Sequence, residues 1–291
     1  MPTLTVTHTT IYRYACPVMF GEHRMMMRPR DSHDLRILET ALIVRPAATK
    51  RWIHDVFGNS VAIARFSEPA QELHVESRFR AEHFPLAENS VEIEEYARRH
   101  PFSYDASEVP DIGRTVERHY PDQNHLVDSW ARRFVEGASD HDTMTILSSM
   151  TRTIQKEFKY NPRDEMGTQD PVTTLTTRTG TCRDYALLMM EAARTLGFAA
   201  RFVSGYLYDE SKLKGGAGTV VGDGVTHAWL QIYLPGAGWV PFDPTNGLIS
   251  DRNLIRVAVT RDPSQAVPLK GSFIGKPTDF LGMDVKVEIR A

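Results

Sequence analysis

The chain has 291 residues, 41% hydrophobic and 24% charged, so it is long enough to bury a core without disulfides or metals. Its 34 basic and 37 acidic residues leave a formal charge of −3, and no global field draws in nucleic acid. No stretch of ~18 apolar residues is available to span a membrane, and MPTLTVTHTT at the N-terminus carries neither part of a secretory signal.

From Leu4 to about Phe84 the text reads as β. Leu4–Ile11 and Leu73–Phe79 alternate apolar and polar residues, the period of a half-buried strand. Arg36–Val44 is a more apolar strand, and Asp55-Val-Phe-Gly-Asn59 is a turn between two others. Short strands at this spacing predict an antiparallel sandwich. Arg24, Arg28 and Arg30 cluster beside Met25, Met26 and Met27, which reads as a strand edge with solvated arginines rather than a phosphate site.

Residues 86–165 are expected to connect, with Pro101, Pro110 and Pro121 early and two amphipathic helices later. In the second helix Ile146, Leu147, Met150, Ile154 and Phe158 recur at helical spacing. Asp170-Pro171 then opens a short helix as N-cap and first helical residue. The division expected is an accessory domain over 1–85, the connecting region over 86–165 and a core over 166–291. The glycine-rich stretch Gly215–Gly224 is either a lid or an inert connector.

The chemistry concentrates in Gly180-Thr-Cys-Arg-Asp-Tyr-Ala. Tyr185, Leu188, Met189, Ala192 and Leu196 form one apolar stripe, Thr181 and Asp184 have capping-box spacing, and Gly197 suits a C-terminal αL residue. A helix therefore starts at or just before Cys182. Its unpaired N–H groups favour an anion and can receive an oxyanion. Gly180 would let a substrate approach the backbone. Thr226–Leu234 alternates strictly and sets His227, Trp229, Gln231 and Tyr233 on one strand face; Trp239–Asp243 returns beside it. A four-residue loop between these strands would put His227 and Asp243 on opposite faces. An odd-length loop or a bulge makes them diagonal neighbours on one face.

These segments resemble the bacterial branch of the transglutaminase-like superfamily, whose core shares a Cys-His-Asp geometry with papain-like proteases. The resemblance rests on Gly180–Ala186, Ala200–Leu207, Thr226-His-Ala-Trp229, Gly238–Gly247 and the closing strand Ile255–Asp262. It implies an α+β protein: an N-terminal antiparallel β-sandwich-like domain, then a papain-like core with the catalytic helix packed on an antiparallel sheet. It also makes Cys182 the nucleophile, His227 the base and Asp243 its orienter. Arg183 stands where many relatives have glutamine.

The expected function is amide chemistry through a thioester, most directly hydrolysis of a peptide or isopeptide bond. Acyl transfer or deamidation of glutamine is the alternative, and a catalytically silent binding module is the reading from another class. The Cys182 N–H and the Tyr160 hydroxyl are the candidate oxyanion donors, and Gly180, Arg183 and Trp229 the candidate cleft residues. A protein or peptide is the expected partner, with no cofactor, metal, nucleic acid or membrane. Asp140-His-Asp142 has no metal-ligand spacing. Two cysteines 166 positions apart, Cys16 and Cys182, suit a reducing, cytoplasmic setting better than a disulfide framework.

Overall fold

Six strands open the chain: β1 (Thr3–Phe20), β2 (His23–Arg28), β3 (Leu35–Arg45), β4 (Ala48–His54), β5 (Ser60–Phe66) and β6 (Ala70–His83). The computed structural model describes residues 3–84, 91–137, 140–163, 167–209, 226–249 and 252–291; the glycine-rich stretch 215–224 lies outside them. β1 follows its alternation, burying Leu4, Val6, His8 and Thr10 and, further on, Tyr14, Val18 and Phe20. It pairs antiparallel with β6, which pairs with β3. A second sheet runs β2-β5-β4. Tyr14, Phe20, Met25, Met27, Ala62, Leu73 and Val75 fill the space between the two sheets. Burying each of the larger aliphatic and phenylalanine side chains among them contributes about 1.5–3 kcal/mol.

Between β4 and β5 the Asp55 carboxylate accepts the N–H groups of Phe57 (2.9 Å) and Asn59 (2.8 Å). Gly58 there has φ +74°, where a side chain would strain the backbone.

The helices follow: α1 (Val109–Val116), α2 (Leu126–Glu136), α3 (Thr143–Glu157), α4 (Pro171–Thr177) and α5 (Cys182–Thr195). Asp142 and Asp170 cap α3 and α4, accepting Thr145 N–H (2.7 Å) and Thr173 N–H (3.0 Å). Two two-residue strands, β7 (Lys159–Tyr160) and β8 (Thr179–Gly180), pair in parallel just ahead of α5. The core sheet runs β11-β10-β9-β12, from β9 (Ala200–Leu207), β10 (Thr226–Leu234), β11 (Gly238–Phe242) and β12 (Leu254–Thr260). α5 lies on it, and the shared core includes Trp130, Ile146, Leu188, Met189, Phe202, Leu230 and Phe242. α2 and α3 contribute to that core, so they belong with α5 rather than with a connector.

The last strands correct the expected extent of the core. β13 (Leu269–Lys270) pairs with β2, and β14 (Phe273–Ile274) and β15 (Phe280–Arg290) pair with β1. Residues from 269 onward therefore complete the N-terminal sheets, supplying hydrogen bonds that β1 and β2 would otherwise leave open at an edge.

The two halves are joined by polar contacts as well as apolar ones. His8 Nδ1 meets the Tyr206 hydroxyl at 2.9 Å, and His83 Nδ1 meets that of Tyr208 at 2.9 Å. Burial pushes both imidazoles down to about 4, with Asp34 partly offsetting it at His83. Asn59 forms two bonds with the Val259 backbone, at 2.7 and 2.9 Å. Among the described residues no helix is long and apolar enough to cross a membrane.

Candidate active site

Cys182 is the first residue of α5 and is 6% exposed. Its helix start is held by Asp184, whose buried carboxylate accepts the Thr181 N–H at 2.7 Å and the Thr181 hydroxyl at 2.9 Å. The same carboxylate accepts the Gln169 N–H at 2.7 Å and two bonds from Arg163, at 2.8 and 3.2 Å. This fork-shaped pairing is the geometry in which arginine binds carboxylate most strongly. Gly197 ends the helix at φ +87°.

Gly180 serves this arrangement too. A Cβ there would lie 2.9 Å from the Asp184 Cβ and 3.2 Å from the Tyr185 ring. Its lack of a side chain makes room for the helix start. Gly180 also pairs with Tyr160 across the β7–β8 ladder. That pairing brings Tyr160 near Cys182, whose charge acts on the phenol. Burial and Cys182 both push the Tyr160 pKa upward.

β10 and β11 settle the register. Leu230 faces Phe242, Tyr233 faces Trp239 and Leu234 faces Gly238. The loop between them is Pro235–Ala237, an odd length, with Gly236 and Gly238 both at positive φ. His227 and Asp243 thus fall on one face, and His227 Nε2–H donates to Asp243 Oδ2 at 2.8 Å with both side chains fully buried. Asp243 is held in turn by the Thr245 N–H (2.9 Å) and the Asn246 amide (2.9 Å). Burial alone would raise its pKa; His227 and these donors hold it low.

His227 Nδ1 is buried and has no hydrogen-bond partner among the described residues, while Cys182 is near enough to the ring to act on its charge. Burial would lower the imidazole pKa. Asp243 and Cys182 outweigh it and hold His227 above its usual range. The site thus gathers a thiol at a helix start, an imidazole near it and a carboxylate bonded to that imidazole.

The other two candidate cleft residues, Trp229 and Arg183, both make packing contacts. Trp229 is 1% exposed and stacks on His227, with ring centroids 6.1 Å apart. It lies against Gly205, where a Cβ would be 2.7 Å from the indole and 2.1 Å from the Ile255 carbonyl oxygen. The indole is therefore a floor beneath the histidine. Arg183 donates to the Pro263 carbonyl oxygen at 3.1 Å and sits over the Phe202 ring, so its guanidinium braces the core. Arg163, Gln169 and Asn246, the supports of Asp184 and Asp243, carry no motif of their own in the sequence. Only the Asp243-Pro-Thr-Asn246 turn hints at the last of them.

Comparison with known proteins agrees with this architecture. The family profile of the transglutaminase-like superfamily matches residues 128–244, and that of the bacterial transglutaminase-like N-terminal region matches 4–82. Uncharacterized proteins of Mycobacterium tuberculosis and Mycobacterium leprae are 26% and 27% identical over 98% of this chain, covering 91% and 98% of the relatives. A protein-glutamine gamma-glutamyltransferase of Pseudomonas aeruginosa is 36% identical over 76 residues, 26% of this chain and 11% of that protein. A solved structure of a candidate cysteine protease from Cytophaga hutchinsonii shares the fold, with a TM-score of 0.68 at 18% identity over 99% of this chain and 90% of the other. With both halves matched in order, the chain belongs to the transglutaminase-like superfamily, with the bacterial N-terminal region fused ahead of the core.

Proposed function

We propose that this protein cleaves amide bonds of a peptide or protein through a thioester on Cys182. The observation that carries the reading is the buried His227, bonded to Asp243 through Nε2, with Nδ1 unpartnered among the described residues and Cys182 close enough to raise the ring's pKa. His227 takes the thiol proton, and the sulfur attacks the amide carbonyl carbon. The oxyanion is received by the Cys182 N–H at the helix start and by the Tyr160 hydroxyl. His227 then gives its proton to the leaving amine, and water, activated by the same imidazole, hydrolyses the thioester. Asp243 fixes the ring tautomer and offsets the imidazolium charge.

Amine transfer or deamidation at glutamine is the second reading. It is favoured by the similarity, over a stretch of 76 residues, to the Pseudomonas gamma-glutamyltransferase. Two cysteines with no disulfide, Cys16 exposed and Cys182 buried, favour a reducing compartment.

The test is incubation with a diverse peptide library containing a free amine, read by mass spectrometry. Fragments that vanish with Cys182→Ala support hydrolysis. A gain of about 1 Da at glutamine, the mass difference between an amide and an acid, supports deamidation, and adducts with the amine support transfer. No modification by protein whose Cys182 is reduced would sink the proposal.

A further inference from the structure

A cavity of about 600 Å³ lies between the N-terminal sheets and the core sheet, away from the Cys182 sulfur. Its volume is in the ordinary range for a small-molecule site, about 300–1,000 Å³. Three arginines line it: Arg201 from β9, Arg256 from β12, and Arg30 from the segment after β2. Their situations differ. Arg256 is paired with Asp34 at 3.3 Å and also reaches the Ser32 hydroxyl at 3.3 Å. Arg30 is exposed at the mouth, making one long contact of 3.5 Å to the Phe57 carbonyl oxygen.

Arg201 is the unusual one. Its Nε donates to the Gln231 side-chain oxygen at 2.9 Å, and its guanidinium carbon lies over Trp239, 4.1 Å from the ring centroid. No carboxylate among the described residues pairs with it. The acids that line the cavity are otherwise engaged or exposed: Asp34 on Arg256, Asp31 on the Ile37 N–H at 2.7 Å, and Glu92 at the open rim. Burial, Arg256 and Arg30 all act in one direction and lower the Arg201 pKa to about 9. A half-buried cation repelled by two others and offset by no acid is costly to keep unless something negative joins it. Among the described residues its terminal nitrogens make no hydrogen bond, leaving a planar fork that suits carboxylate or phosphate.

We propose that this cavity binds a small molecule with an oxyanion head and an apolar body. The head sits on the Arg201 fork within reach of Arg256 and Arg30, and the body lies along Trp239, Phe57 and Val259. The N-terminal domain completes the site by contributing Arg30 and Phe57, a function separate from any step at Cys182. The site also borders the strands that carry the relay: Gln231 is on the strand of His227, and Pro241 precedes Asp243 on its neighbour.

Titration calorimetry on the full chain tests this, with phenyl phosphate, phthalate, inorganic phosphate and chloride compared at matched ionic strength. Saturable binding of phenyl phosphate or phthalate, weakened at least tenfold in Arg201→Met and measurably in Arg30→Ala, supports the site; which probe binds more tightly tells phosphate from dicarboxylate chemistry. Alkylation of Cys182 should be unchanged in Arg30→Ala, which separates this site from the proposed chemistry. The melting temperature of Arg201→Met without ligand should equal or exceed that of the parent, because a repelled cation has gone. The proposal is overturned if neither organic anion binds saturably, if Arg201→Met binds as well as the parent, or if that variant melts lower while the parent binds no anion.

Discussion

At His227 two effects oppose each other. Burial favours the neutral ring, whereas a carboxylate on one nitrogen and a sulfur near the other favour the cation, and the charges win. In the proposed chemistry the ring serves as a base while Asp243 holds it in one tautomer. Asp243→Asn is therefore expected to lower turnover by about 10³–10⁴-fold with little change in fold. Asn246→Ala removes one donor from a carboxylate that keeps its others, and a loss of about tenfold is expected, equivalent to about 1.4 kcal/mol. Steady-state kinetics with circular dichroism on both variants checks the order. Tyr160→Phe keeps the ring packing but deletes the hydroxyl; kcat should fall about 10–10³-fold with KM little changed. A rise in KM at constant kcat would instead assign the hydroxyl to binding.

At the level of elements, the helix start was legible because its signals are local. Thr181, Asp184, Gly197 and the apolar stripe all lie within one segment, and each points to a helix beginning at Cys182. The partners of Asp184 were not legible, since Gln169 and Arg163 come from 15 and 21 residues upstream and meet it only once β7 and β8 pair. Arg163→Ala leaves that buried carboxylate short of its cation and should destabilise by about 3–5 kcal/mol, measured by denaturant unfolding. Asp243 was half-legible: alternation put it on a strand, but its face depended on a loop length that Pro235-Gly-Ala-Gly238 leaves open. The face of Trp229 was readable, yet its burial was not, because the glycine that admits the indole lies on the neighbouring strand at Gly205. Gly205→Ala should give little soluble protein, since the added methyl meets a backbone carbonyl that cannot move aside.

Across the whole molecule, the sandwich and the order of domains could be read from periodicity, but the return of the chain end could not. Only Val285–Arg290 of β15 alternates apolar and charged residues, and nothing local in Phe280–Arg290 names β1 as its partner. A separate long-range contact, between the N-terminal sheet and the core, buries His8 and His83 against Tyr206 and Tyr208. Both rings are held near pKa 4, below the ordinary 6.5, so the unfolded chain takes up protons that the folded one refuses between those values. Their contribution to stability is complete above pH 6.5 and is lost as pH falls from there through 4, by about 3 kcal/mol for each ring at the acid end. Thermal melts across this window should show the loss, and a His8→Gln, His83→Gln double variant should show less of it. The central claim concerns Cys182 itself, and Cys16 provides an internal reference because it is exposed while Cys182 is 6% accessible. The most direct measurement is the rate of alkylation of each thiol by iodoacetamide, resolved by peptide mass spectrometry. The relay predicts that buried Cys182 reacts faster than exposed Cys16 and loses that advantage in His227→Ala. Cys182 reacting more slowly than Cys16, at a rate indifferent to His227→Ala, would contradict it.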